Sequence, residues 1–181
     1  MTTAFDLETA RQDYFSLFGL PRRQGIDANQ LEILYRDLQA RVHPDKHAHL
    51  SEAEQRVAMQ WATRVNEAYL TLKDPLQRAR YLLELAGHDV GLESNTAMPA
   101  TFLMAQMELR EAVVEAKAGG DVDLLDGLHR RLRKEMRDEY ETLRATLDDG
   151  ALASAGELVR QLMFQEKLLQ EIDAALAHLE D

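Results

Sequence analysis

The residues of this chain whose types and spacing best suit chemistry are His43, Pro44 and Asp45, followed by Lys46. An imidazole and a carboxylate flank a proline here, and His47 and His49 bring two more imidazoles close by. His43 and His47 have the i, i+4 spacing that suits zinc on a helix. Pro44 lies between them, however, and no cysteine or well-placed carboxylate completes a four-ligand set. No metal and no cofactor are therefore expected. Recognition fits better. The Asp45 carboxylate can meet a partner's guanidinium bidentately, a geometry that a neutral amide reproduces poorly. Pro44 fixes φ and so limits the conformations of the segment before it binds. The plain alternative is a helix-ending turn in which Asp45 caps the next segment, and the flanking sequence decides between the two.

Upstream, Leu31, Tyr35, Leu38 and Val42 form one apolar helical stripe. Downstream, Val57, Trp61, Val65, Ala68 and Leu72 repeat the pattern. Pro44 cannot continue the first helix, so the second is expected to run back antiparallel, with His43 and Asp45 at the tip of the hairpin. Asp27 and Ser51 are the expected N-caps, and Glu54 completes a capping box after Ser51. This layout resembles a J domain. The run Val65-Asn66-Glu67-Ala68-Tyr69-Leu70-Thr71-Leu72-Lys73-Asp74-Pro75 is similar to its third helix entering the fourth, and Asp13-Tyr14-Phe15-Ser16-Leu17-Phe18-Gly19-Leu20 to its short first helix. Ordinary J domains close soon after an Arg-Ala-x-Tyr-Asp element. Here Arg78-Ala79-Arg80-Tyr81 continues as Leu82-Leu83-Glu84-Leu85-Ala86-Gly87, followed later by Phe102-Leu103-Met104-Ala105-Gln106-Met107-Glu108-Leu109-Arg110-Glu111. That pair of segments, in that order, resembles the HscB family, J-type co-chaperones of iron–sulfur cluster assembly. The similarity runs from Asp13 through nearly the whole chain.

The resemblance implies a fold and a pair of binding sites. The fold is all-α: a J domain over 13–86 after an N-terminal extension at 1–12, a linker at 87–99, and an antiparallel three-helix bundle over 100–181. His43, Pro44, Asp45 and Lys46, with the basic face of the second helix at Arg36 and Arg41, would engage the DnaK-type chaperone HscA and trigger its ATPase. Two arginines make a thinner positive patch than many J domains carry. The second site lies on the helix expected from about 100 to 118. There Phe102, Ala105, Leu109, Val113 and Ala116 form a stripe able to face the bundle, and Leu103, Met104, Met107 and Val114 form a second strip beside it. A helix with one partner layer needs only one stripe. The surplus either packs under another part of the chain or waits for a partner. The family's site for the cluster scaffold IscU maps onto Leu103, Met104, Met107, Glu108, Glu111, Glu115 and, on the last helix, Phe164. A J-domain co-chaperone with a different client would keep the first site and lose the second.

Composition agrees with this reading. Hydrophobic residues make up 45% and charged residues 29% of the 181, and strand-like alternation is absent. No apolar run approaches the roughly 20 residues that span a bilayer, and the first dozen residues do not read as a signal peptide. With no cysteine in the chain, thiolate ligation of a cluster by this protein is excluded. A cytoplasmic protein is expected, since nothing argues for disulfides and export. Residues 1–90 carry 11 Lys/Arg against 13 Asp/Glu, while residues 91–181 carry 10 against 19. Such an acidic half suits a basic partner surface. The basic cluster Arg130, Arg131, Arg133, Lys134 and Arg137 is interleaved with acids and reads as a solvated helical face, so nucleic acid is not an expected partner. A glycine-rich phosphate loop and a nucleophile elbow are both missing, so the chain is expected to activate a partner's ATPase rather than act as an enzyme.

Overall fold

The computed structural model describes residues 12–42, 51–88, 90 and 98–180, and every regular element among them is helical. Seven helices follow one another: α1 (Tyr14–Leu17), α2 (Ala28–Val42), α3 (Glu52–Lys73), α4 (Pro75–Leu85), α5 (Ala100–Gly119), α6 (Val122–Asp148) and α7 (Leu152–Glu180). The chain divides into two compact units, Met1–Leu82 and Leu83–Asp181. The division falls inside α4, earlier than the boundary at 86 expected from the sequence.

Short polar side chains set where the helices begin. Asp27 Oδ1 accepts from the Asn29 and Gln30 amides at 2.8 and 3.3 Å, which starts α2. Ser51 and Glu54 form the reciprocal capping box of α3. Asp74 accepts from the Leu76 and Gln77 amides, with Pro75 at the first position of α4, where its missing N–H costs nothing. Asp121 accepts from Leu124 N at 2.9 Å and opens α6. Gly120 ends α5 in the left-handed region at φ 66°, which a residue with a Cβ rarely adopts.

In the first unit, α2 and α3 bury facing stripes. Leu31 and Val42 on one side meet Trp61, Val65, Ala68, Tyr69 and Leu72 on the other, and Phe15, Phe18 and Leu20 from the α1 region join the same core. Val57, expected in the buried stripe, is exposed, and Ala58 is buried in its place. At about 100° per residue, including Tyr69 shifts the centre of the buried arc of α3 toward Ala58 and away from Val57. Tyr81 on α4 stacks on Tyr14 at 4.5 Å between centroids, and its hydroxyl accepts from the Tyr14 amide at 3.0 Å. Gln24, also buried, donates to the Pro75 carbonyl at 2.8 Å.

The second unit holds the three long helices. Short turns at 120–121 and 149–151 make α5 and α6, and α6 and α7, antiparallel neighbours. Leu125, Leu128, Leu132, Met136 and Leu143 on α6 meet Ala155, Val159, Leu162, Leu168, Ile172 and Ala175 on α7. Cross-links set the register: Gln165 to Glu139 at 2.8 Å, Tyr140 to Glu166 at 2.8 Å, and His129 to Asp173 at 3.1 Å. Burial pushes the Glu139 carboxyl up, against the hydrogen bond from Gln165. Of the expected linker, Val90 is buried and its carbonyl accepts from Arg160 at 2.9 Å.

Asp13 anchors the N-terminal end of α1. It accepts from the Phe15 and Ser16 amides, from Ser16 Oγ at 2.6 Å, and from Arg22 at 2.6 and 3.1 Å. Burial opposes its ionisation, but these donors outweigh that and lower its pKa to about 2. The folded value lies below the unfolded one, so the stabilisation is full above about pH 4 and fades as the pH falls toward 2. Asp13→Asn is expected to lower the unfolding free energy by about 2 kcal/mol at pH 7. Urea titrations of both proteins at pH 7, 4 and 3 should show that difference shrinking.

Candidate functional site: two interaction surfaces

Of the residues expected to meet a chaperone, Arg36 and Arg41 lie on the exposed part of α2, whereas His43, Pro44, Asp45 and Lys46 lie outside the described residues, as do His47 and His49. Arg36 is not a bare cation. Its Nε and Nη2 both donate to Glu32 Oε1, one turn earlier, at 3.0 and 2.9 Å. Glu32 Oε2 in turn accepts from the Tyr69 hydroxyl across the α2–α3 seam. The Tyr69 hydrogen bond lowers the Glu32 pKa, with Arg36 adding to the effect. The buried Tyr69 ring stacks on Tyr35 at 3.9 Å between centroids, and Lys73 Nζ sits 5.2 Å from its centre. Tyr35 donates to Asn66 at 3.2 Å and accepts from Gln39 at 2.8 Å. Apolar periodicity placed Tyr35 in the core stripe and missed this polar edge. Glu32 and Arg36, an acid and a base one turn apart beside that stripe, were its signal.

The second surface lies on α5. Phe102, Gln106, Leu109, Val113 and Ala116 face inward, and Ala105, expected among them, is exposed. Steps of four, three, four and three residues keep the inward set on one line, and Ala105 falls off it. On the opposite side Leu103 (39%), Met104 (57%), Met107 (64%) and Val114 (62%) are all exposed, and so is Phe164 (43%) on α7. Glu108, Glu111 and Glu115, at steps of three and four, run beside this strip and are exposed too. Arg110 pairs with Glu171 at 3.3 Å, so α7 flanks the Leu103–Met107–Val114 side of α5. Phe164 meets Phe102 edge-on at 6.4 Å between centroids. α6 also packs against α5, and its Arg131, held first by Glu135, feels the Glu108 carboxylate as well. The face is thus an apolar strip with an aromatic neighbour and an acidic margin. Every residue expected at the scaffold site lies on it.

Arg130, Arg131, Arg133, Lys134 and Arg137 are exposed on α6, and Arg131 is held by Glu135 at 2.8 Å. Among the described residues no group of three metal-ligating side chains converges. None of their helices is long and apolar enough to cross a membrane.

Comparison with known proteins adds the family. Residues 13–81 match the DnaJ domain, and residues 98–173 match the HSCB C-terminal oligomerisation domain. The chain belongs to the HscB family of J-domain co-chaperones. A co-chaperone HscB homolog of Aromatoleum aromaticum is 56% identical over 94% of this chain and 97% of its own length. That of an Azoarcus species is also 56% identical, over 98% and 99%. Among solved structures, chaperone HscB from Vibrio cholerae aligns with a TM-score of 0.84 at 36% identity, over 93% of this chain and 99% of that one. Human HscB aligns at 0.86 and 26%, over 91% and 82%. The family thus accounts for both units of the chain.

The burial pattern of α5 separates surface from core. Met104→Ala and Met107→Ala should each change the unfolding free energy by less than about 0.5 kcal/mol. Phe164→Ala should cost up to about 1 kcal/mol through its lost edge contact. Leu109→Ala, on the buried line of the same helix, should cost about 2–5 kcal/mol. Chemical denaturation of the four variants measures the contrast.

Proposed function

We propose that this co-chaperone serves iron–sulfur cluster assembly, its first unit stimulating the ATPase of the DnaK-type chaperone HscA and its second presenting the scaffold IscU. The observation that carries the reading is the exposed α5 face, where Leu103, Met104 and Met107, with Phe164 beside them, lie next to Glu108, Glu111 and Glu115. Single exposed apolar residues are commonplace, but these four together with Val114, gathered along one helix and its neighbour, suit a partner with apolar anchors and a basic rim. Methionines adapt to such a partner without a fixed shape. His43, Pro44 and Asp45 act on the chaperone, with Lys46, Arg36 and Arg41 supplying positive charge. The chain performs no catalysis of its own. Joining two binding modules raises the effective concentration of scaffold at the chaperone.

Asp45→Asn and His43→Gln should each abolish stimulation of HscA ATPase while leaving the melting temperature nearly unchanged. Replacing Met104, Met107 and Phe164 together with alanine should weaken IscU binding at least roughly tenfold, since truncating interface-centre residues commonly costs about 1–2 kcal/mol each. Stimulation by the triple variant alone should persist, whereas joint stimulation with IscU should fall. Full stimulation by Asp45→Asn would refute the chaperone role. Unchanged IscU binding by the triple variant would move the client site elsewhere.

A further inference from the structure

We infer that Tyr69, from α3, is a positioning residue for the chaperone-facing cation Arg36, acting through Glu32. The inference rests on the reading of α2 as a chaperone-binding face and adds to it a residue on another helix. Arg36 uses Nε and Nη2 on one carboxylate oxygen, at 3.0 and 2.9 Å. Among the described residues the guanidinium edge at Nη1 has no partner, on a side chain that is 75% exposed. A free surface arginine would sample many rotamers and lose them on binding. Here Glu32 cannot swing freely, because the Tyr69 hydroxyl holds its other oxygen. Tyr69 is itself buried in the α2–α3 core and stacked on Tyr35, which restricts its own rotamers. Core packing is thereby relayed to the surface cation, and Arg36 is oriented before its partner arrives. The planar, fixed guanidinium suits a carboxylate on an acidic patch of the chaperone.

Tyr69→Phe isolates the relay, because it removes one hydroxyl, keeps the stacked ring and changes no charge. Full-length wild type, Tyr69→Phe, Arg36→Gln and the double variant would be titrated against purified DnaK-type chaperone, with ATPase rate as the readout. Tyr69→Phe should raise the half-saturating concentration by about two- to tenfold and leave maximal stimulation unchanged. In the Arg36→Gln background the same change should have no further effect. An unshifted half-saturation in Tyr69→Phe would overturn the proposal, as would an equal shift in the Arg36→Gln background, which marks general loosening of the helix pair. Asp45→Asn runs alongside. If it stimulates fully, the chaperone reading fails and the relay's role with it; if it is inert while Tyr69→Phe is unshifted, the relay alone is refuted.

Discussion

The seam between α2 and α3 is the constraint on which the first unit depends. Two amphipathic helices have no reason to hold one register until their stripes meet, and Tyr35 stacked on Tyr69 permits only one rotation and one height along the pair. Glu32, reaching Tyr69 from α2, adds a polar check on the same register. An aromatic stack of this kind contributes about 0.5–1.5 kcal/mol beyond its buried area. Its greater effect is on specificity, because neighbouring registers would strand the Tyr69 hydroxyl. The termini of α2 and α3 that flank residues 43–50 are therefore set by contacts well down the helices. The α1 region is tied to α3 through Arg64, which donates to the Gln12 carbonyl and lies over the Tyr14 ring, and Tyr81 of α4 stacks on Tyr14 in turn.

The second unit solves a different problem. α6 and α7 bury leucine-rich faces against each other and cross-link through Glu139, Gln165, Tyr140 and Glu166. α5 lies against that pair through one narrow line of Leu109, Val113 and Ala116. Three long helices can each be satisfied by one buried stripe, so a helix that is apolar on more than one side must leave the surplus in water. The exposed carboxylates of Glu108, Glu111 and Glu115 run along the margin of that surplus. The same carboxylates would repel an acidic partner and attract a basic one.

Much of this was legible from the residues alone, because caps and periodicities are local. Asp27, and Ser51 with Glu54, mark helix starts in the sequence and cap them in the structure. The all-α class and the order of helices come from the same signals. The family, too, could be read from motifs spread over both units. Misplacements occurred where a stripe had to be chosen among adjacent positions. Val57 against Ala58, and Ala105 against Gln106, differ by a single residue, and only the partner helix decides which side of an arc is covered.

The sequence by itself determined which segments are helical, where they start and stop, and which side chains are candidates to meet a partner. Only the tertiary structure decided the state of the candidates on α2, α5 and α7. Whether the second strip on α5 was core or surface depended on where α6 and α7 lie, a long-range matter on which helical periodicity is silent. The tie from Tyr69 to Arg36 was equally invisible, because it joins residues on different helices through an acid whose partners are set by packing. Local order is written in neighbours along the chain. Exposure and pairing are set by neighbours in space, and those exist only once the helices have packed.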